Sequence, residues 1–318
     1  MLRQHGFEQA LSLSAADTDF SFRGIHDIEW AQFLLNPRRL RGSDFLMRWS
    51  QGVWSERRLT EAINATSRFH AIPYGPSGTA PKEDIKAFEL YFERLEAAGL
   101  GSTKRPDLLV FDASDRERVS ELVSEAGGAA ELSFIRESDL SPLLQLAILA
   151  IECENSLWKT SKMPDYGSKL KPMKRLGGKL GLRKNAVLPT VILKEEDRQP
   201  LLQWQADNSI SVHIWHAFYD RAYGLALNEA MRLLDEGLIE PVMQIFQAPG
   251  GATTKKTLYK FYYHYAYEIG ISTDLPTLVS DFVEAANGHI LPYVRFEGGR
   301  MTLCSKALAV LEKGRMRK

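Results

Sequence analysis

From Leu143 to Ile151 the chain reads Leu-Leu-Gln-Leu-Ala-Ile-Leu-Ala-Ile, apolar everywhere except Gln145, and then turns acidic in Glu152-Cys153-Glu154-Asn155. A run this short cannot span a bilayer, and its composition suits a strand buried on both faces. Carboxylates at the end of a buried element require a charge partner or a metal. Strand side chains alternate between faces, so Glu152 and Glu154 project together while Cys153 turns away. A third acid, Asp107, stands just ahead of the apolar Leu108 to Phe111 in Lys104-Arg-Pro-Asp-Leu-Leu-Val-Phe111. If that segment pairs beside the strand of Glu152, the three carboxylates form a hard-metal site. Oxygen ligands favour magnesium, which keeps several waters and takes phosphate oxygens as further ligands. Pro-Asp also opens ordinary turns and Glu-x-Glu decorates solvated strands, so it is the buried flank that favours chemistry here.

The chain of 318 residues carries 40 basic and 40 acidic side chains, so overall charge says nothing for or against a nucleic-acid partner. Local charge has to carry that question. Cys153 and Cys304 are the only cysteines, too few for a disulfide framework and without zinc-ligand spacing, which fits a reducing cytoplasm. The start of the chain, with Glu8, Asp17 and Asp19, lacks the pattern of a signal peptide, and no segment is long enough to cross a membrane. A cytoplasmic protein with no membrane partner is expected.

Apolar spacing predicts helices over Trp54–Ser67 and Lys82–Ala98, the latter ended by Gly99 and Gly101, with a Gly- and Pro-rich loop over Pro73–Pro81 between them. Further on, the pattern predicts a strand after Asp107, a helix over Asp115–Ala126, the strand into Glu152, and a strand over Ala186–Leu193. A helix over Arg198–Ala206, a strand over Val212–Tyr219 and a helix over Leu227–Glu236 follow. Thr257–Ile269 reads as strand or buried helix. Strands alternating with helices imply a mixed α/β sheet flanked by helices, with elaborations at both ends. Residues 1–80 read as a DNA-contacting segment, 81–220 as the core, and 221–318 as a recognition or dimerisation part packed on the same domain.

Between Lys159 and Lys184 nine basic residues face one acid, Asp165. They include Lys159, Lys162, Lys174, Arg175 and Lys179. A second cluster, Arg38, Arg39, Arg41, Arg48, Arg57 and Arg58, is interleaved with Trp49 and Trp54. Such stretches are often solvated loops, but beside a magnesium site they suit a phosphate backbone. Pro249-Gly-Gly-Ala-Thr-Thr-Lys-Lys-Thr257 has Lys255 where a phosphate-cradling loop needs glycine, so nucleotide hydrolysis is rejected. A turn is expected there, or a loop whose Thr253, Thr254, Lys255 and Lys256 touch DNA. His213 and His216 lie three apart on a strand and so face opposite ways, which argues against a shared metal. Cys153 sits between two carboxylates, where a thiolate is disfavoured.

Asp107, Glu152 and Glu154 resemble the PD-(D/E)xK nuclease signature. Longer stretches resemble the AccI-type type II restriction endonucleases: Arg41–Trp54, Pro73–Pro81, Lys104–Phe111, Ile151–Trp158, Arg175–Leu182, His213–His216 and Ala248–Thr254. Together they spread over most of the chain from Arg41 to Gly299. The resemblance implies a restriction-endonuclease-like core and magnesium-dependent cleavage of double-stranded DNA at a short, near-symmetric site, leaving 5′-phosphates. It also implies a homodimer and a cognate DNA methyltransferase as functional partner. Glu154 stands where the general signature has lysine; Lys159, Lys162 or Lys179 could supply the missing cation, and Glu89 resembles the helix glutamate that supports such sites. A noncatalytic DNA-binding module, or a structure-specific repair or recombination nuclease, is the rival expectation.

Overall fold

The computed structural model describes residues 42–82, 84–247, 253–284 and 288–317. Arg38, Arg39 and Arg41 lie outside them. Among the described residues the strands are β1 (Phe69–Pro73), β2 (Leu108–Asp112), β3 (Ala147–Asn155), β4 (Lys171–Pro172), β5 (Leu180–Gly181), β6 (Thr190–Lys194), β7 (Val212–Ala217), β8 (Arg221–Ala226), β9 (Pro241–Gln247), β10 (Thr253–Tyr262), β11 (Tyr267–Asp274), β12 (Thr277–Glu284), β13 (Ile290–Glu297) and β14 (Arg300–Leu303). The helices are α1 (Ser43–Asn64), α2 (Pro76–Thr79), α3 (Ile85–Ala97), α4 (Arg116–Glu125), α5 (Ser141–Leu144), α6 (Glu195–Asn208), α7 (Leu227–Asp235) and α8 (Ser305–Met316).

The protein is α/β, built on a seven-stranded mixed sheet in the order β1-β2-β3-β7-β8-β11-β14. β3 and β7 run parallel, whereas β2–β3 and β7–β8 are antiparallel. β3 is central because Ala147 to Glu152 are buried on both faces, as the continuous apolar run requires. One face packs Leu201 and Trp204 of α6 and Ala230 and Leu233 of α7 against Val212, Ile214 and Phe111. The other packs Leu59 and Ile63 of α1 and Ala307 and Leu311 of α8 against Val110, Ile151 and Trp215. Each of the larger aliphatic side chains among these contributes about 1.5–3 kcal/mol of transfer free energy. Smaller sheets, β6-β10-β9, β12-β13 and β4-β5, complete the fold. Among the described residues no helix is long and apolar enough to cross a membrane.

Several elements depart from the sequence pattern. α1 begins at Ser43, well ahead of the expected Trp54, because Leu46, Ser50, Trp54 and Arg58 form one buried stripe at four-residue spacing in which serine and arginine replace apolar residues. Inside the Gly- and Pro-rich loop, Pro76 opens the short α2, a position where its missing N–H costs nothing. Thr253 and Thr254 start strand β10 opposite Gln247 and Phe246 rather than forming a turn, as β-branched residues favour. The Tyr-rich segment resolves as strand: β10 and β11 flank a single turn at Tyr263–Tyr265.

Candidate metal centre

β2 and β3 pair antiparallel with Leu108 opposite Ile151, so one further step places Asp107 opposite Glu152. Both carboxylates are 3% exposed. The segment before β2 is held by the Pro73–Pro81 turn, where Tyr74 N–H donates to the Asp107 carbonyl at 2.8 Å. Gly78 allows this approach, since a Cβ there would lie 2.2 Å from the Asp107 oxygen. Gly78→Ala is therefore expected to displace Asp107 and depress any metal-dependent activity by about tenfold or more, a misplacement effect. Unchanged activity with unchanged folding would rule out this positioning role.

The tight acidic group is Glu152, Glu154 and Asp197, each offering a carboxylate oxygen within 4.8 Å of the others. Asp107, expected in the same sphere, stands beside this trio with its Oδ2 accepting from Cys153 N–H at 2.7 Å. Asp197 comes from the first turn of α6, and Lys194 from the last position of β6 immediately before it. Lys194 Nζ lies 2.5 Å from Glu154 and 3.7 Å from Asp197. Lys104 pairs with Glu152 and lies 3.6 Å from Asp197. The lysines at the acids are thus Lys104 and Lys194, residues that the strand pattern around Glu152 could not place there. A separate pair, Glu56 of α1 with Lys82 at 2.8 Å, borders Asp107.

Charge is not balanced. Asp107, Glu152, Glu154 and Asp197 face two ammonium groups, an excess of acids over lysines that protons or one divalent cation would relieve. Burial, then the charge of Asp107, pushes the Glu152 carboxyl well above the usual range, and burial raises Asp107 against the opposing Lys104 and Cys153 N–H. Burial disfavours charge on Lys104 too, yet Glu152, Asp107 and Asp197 hold its ammonium above the ordinary lysine value. Burial pushes the Glu56 carboxyl up to about 7. Glu152 Oε2 is buried with no hydrogen-bond partner among the described residues, an acceptor that costs free energy until something binds it. The donor set of carboxylate oxygens, with more acids than lysines and an orphaned acceptor, fits a hard divalent cation.

Cys153 faces the opposite side of β3, among the packing of α1 and α8, and burial followed by the carboxylates pushes its thiol well up. His213 and His216 also part as the alternation requires. His213 reaches Tyr267, while His216 stacks on Phe218 with ring centroids 4.5 Å apart.

Other sequence candidates are dispersed. Glu89 is buried on α3, and the helix acid beside Asp107 is Glu56. Lys159 and Lys162 are exposed, Lys159 lying 5.4 Å over the Tyr219 ring. Lys179 donates to the Glu236 carbonyl at the end of α7. Arg175 pairs with Glu240 and donates to the Leu182 carbonyl at 2.7 Å, whereas Lys174 is exposed. Arg48 and Lys255 are exposed, and Lys256 pairs with Glu196 at 2.5 Å. Asp165 is tied to Arg183 and to Val187 N–H, away from the acidic group. Arg58 departs most from the expected phosphate-binding cluster. It is 1% exposed, donating to the Phe218 and Tyr219 carbonyls at 2.5 and 3.0 Å and to Ser272 Oγ at 2.8 Å. In comparisons with known proteins, no family model, curated protein or solved structure matches this chain.

Proposed function

We propose that this chain is a magnesium-dependent endonuclease of double-stranded DNA with a restriction-endonuclease-like core, cutting at a short sequence to leave 5′-phosphates. The observation that carries this reading is the surplus of carboxylates over lysines at the end of β3, with the Glu152 acceptor left without a partner. In this reading Glu152, Glu154 and Asp197 hold the ion and Asp107 supports it from beside Glu152. When bound, magnesium lowers the pKa of water and offsets charge on the scissile phosphate. Lys194 takes the part that the signature gives to its lysine, donating from Nζ to the attacking water or a phosphate oxygen. Lys104 keeps Glu152 oriented.

The surroundings support a polyanionic substrate. Lys162, Lys169, Lys171, Lys174 and Lys184 are exposed on the segment that follows β3. Trp158 is 51% exposed just beyond the acids, and in this reading its ring stacks on a base. Symmetric cutting implies a homodimer, and a chain that cuts its host's sequence implies a protecting DNA methyltransferase.

Plasmid incubated with the purified chain should give discrete fragments with magnesium and none with chelator. Binding should weaken steeply with salt, and less steeply once Lys171 and Lys174 are alanine. Intact plasmid at every magnesium concentration, with salt-sensitive binding retained, would leave a noncatalytic DNA-binding protein. Cutting only of branched or damaged DNA would leave a repair nuclease.

A further inference from the structure

A cavity of about 790 Å³ opens at the far end of the same strands, lined by Ala147 to Leu149 at the start of β3 rather than by the acids near its end. Its size lies within the range of small-molecule sites. Ile148, Leu225 and Val310 give it apolar walls, and Tyr265 adds a ring. The charged lining is Lys313, Arg317 and Arg232 against Glu229. Arg232 and Glu229 satisfy each other at 2.6 and 2.8 Å, and Arg232 also pairs with Glu236. Lys313 and Arg317 are left as cations at the mouth.

The floor supplies a neutral donor. Trp215 Nε1–H donates to the Tyr267 hydroxyl at 2.8 Å, and that hydroxyl lies 2.8 Å from His213 Nδ1. Among the described residues the proton of the Tyr267 hydroxyl meets no acceptor but His213 Nδ1, and donation to it leaves the His213 hydrogen on Nε2, the nitrogen that serves the cavity. Gly224 makes this relay feasible, because a Cβ there would sit 2.7 Å from the Tyr267 hydroxyl. Burial, reinforced by Arg317 and Lys313, lowers the His213 pKa to about 4, so the ring is a neutral donor at physiological pH. The first turn of α7, through Asn228 and Glu229, also lines the cavity, and its N-cap residue Ala226 provides no side-chain cap. The N–H groups there carry partial positive charge.

We propose that this cavity binds a small organic phosphate, its anionic end held by Lys313, Arg317 and the His213 Nε2–H and its apolar body seated against Tyr265 and Ile148. The assignment stands whether or not the acids at the end of β3 cut DNA. AMP is the probe of choice, with inorganic phosphate and adenosine testing its two halves. Calorimetry on the full chain should show AMP binding, phosphate weaker, and adenosine weaker still. The double variant K313A/R317A should lose about tenfold or more in AMP affinity. Both side chains are exposed, so its thermal unfolding should match the native chain. The His213 Nε2–H resonance should move on AMP addition. No AMP binding, equal binding to the double variant, or adenosine binding as tightly as AMP would each overturn the proposal. Displacement of AMP by a short DNA duplex would assign the cations to a nucleic-acid backbone and overturn the small-molecule reading.

Discussion

Glu152→Ala protein is expected to leave plasmid intact in magnesium, a loss of about 1,000-fold or more, while binding DNA nearly as well as the native chain. Glu152 joins every part of the centre: it belongs to the trio with Glu154 and Asp197, pairs with Lys104, and faces Asp107 across the β2–β3 register. In the proposed reading its removal takes away a ligand and leaves Lys104 to Asp197 alone, so the remaining acids cannot reproduce the site. Asp197→Asn should lose activity by a comparable factor, which separates the trio seen in space from the Asp107-centred set expected from sequence. Cleavage retained by Glu152→Ala would end the nuclease reading at these residues. Glu152→Gln carries a second, opposite expectation. Because burial and Asp107 raise the folded pKa of Glu152, the unfolded chain loses this proton at lower pH than the native chain does. The group's contribution to stability is present below its unfolded pKa of about 4.3 and is lost as pH rises through the folded value. With chelator present, Glu152→Gln should therefore unfold at a higher temperature than the native chain near neutral pH, and the difference should vanish at low pH. A lower midpoint at neutral pH would show that the carboxylate is structurally needed.

The second large effect is on stability. Arg58→Ala is expected to cost about 3–5 kcal/mol, read as a lower urea midpoint at constant slope. The guanidinium lies 4.0 Å from the Trp54 ring and bonds the carbonyls of Phe218 and Tyr219, tying α1 to the β7–β8 turn. Truncation strands those carbonyls and opens a cavity beside Trp54. That turn also carries Asp220, which accepts from Thr160 N–H at 2.8 Å and so fixes the chain leaving β3. Arg58→Lys should recover only part of the loss, since one ammonium cannot span the fork. A change below about 1 kcal/mol in Arg58→Ala would show that these bonds are replaced by water.

The alternation of β3 was legible residue by residue. Its apolar run predicted a central strand, and the outward turn of Cys153 against Glu152 and Glu154 followed from a period of two. Asp107 was legible because an acid heading an apolar segment reaches a neighbouring strand only if the two pair, and they do. Asp197 fell in the gap between an expected strand ending at Leu193 and a helix starting at Arg198. The acidic Glu195-Glu196-Asp197 opening was the available signal, since acids favour a helix's first turn. Arg58 was read as a surface cation because its chemistry is the same whether its partner is a phosphate or a buried carbonyl.

Local pattern, then, determined strands β2, β3, β6 and β7, most helices and the facing of Glu152, Glu154, His213 and His216, because strand and helix periods are set by backbone geometry within a few residues. Tertiary packing decided which lysines meet those acids, that Asp197 joins them, and that Arg58 is interior. Those outcomes depend on contacts between segments far apart in sequence, whose energies are settled only when burial removes water from both partners.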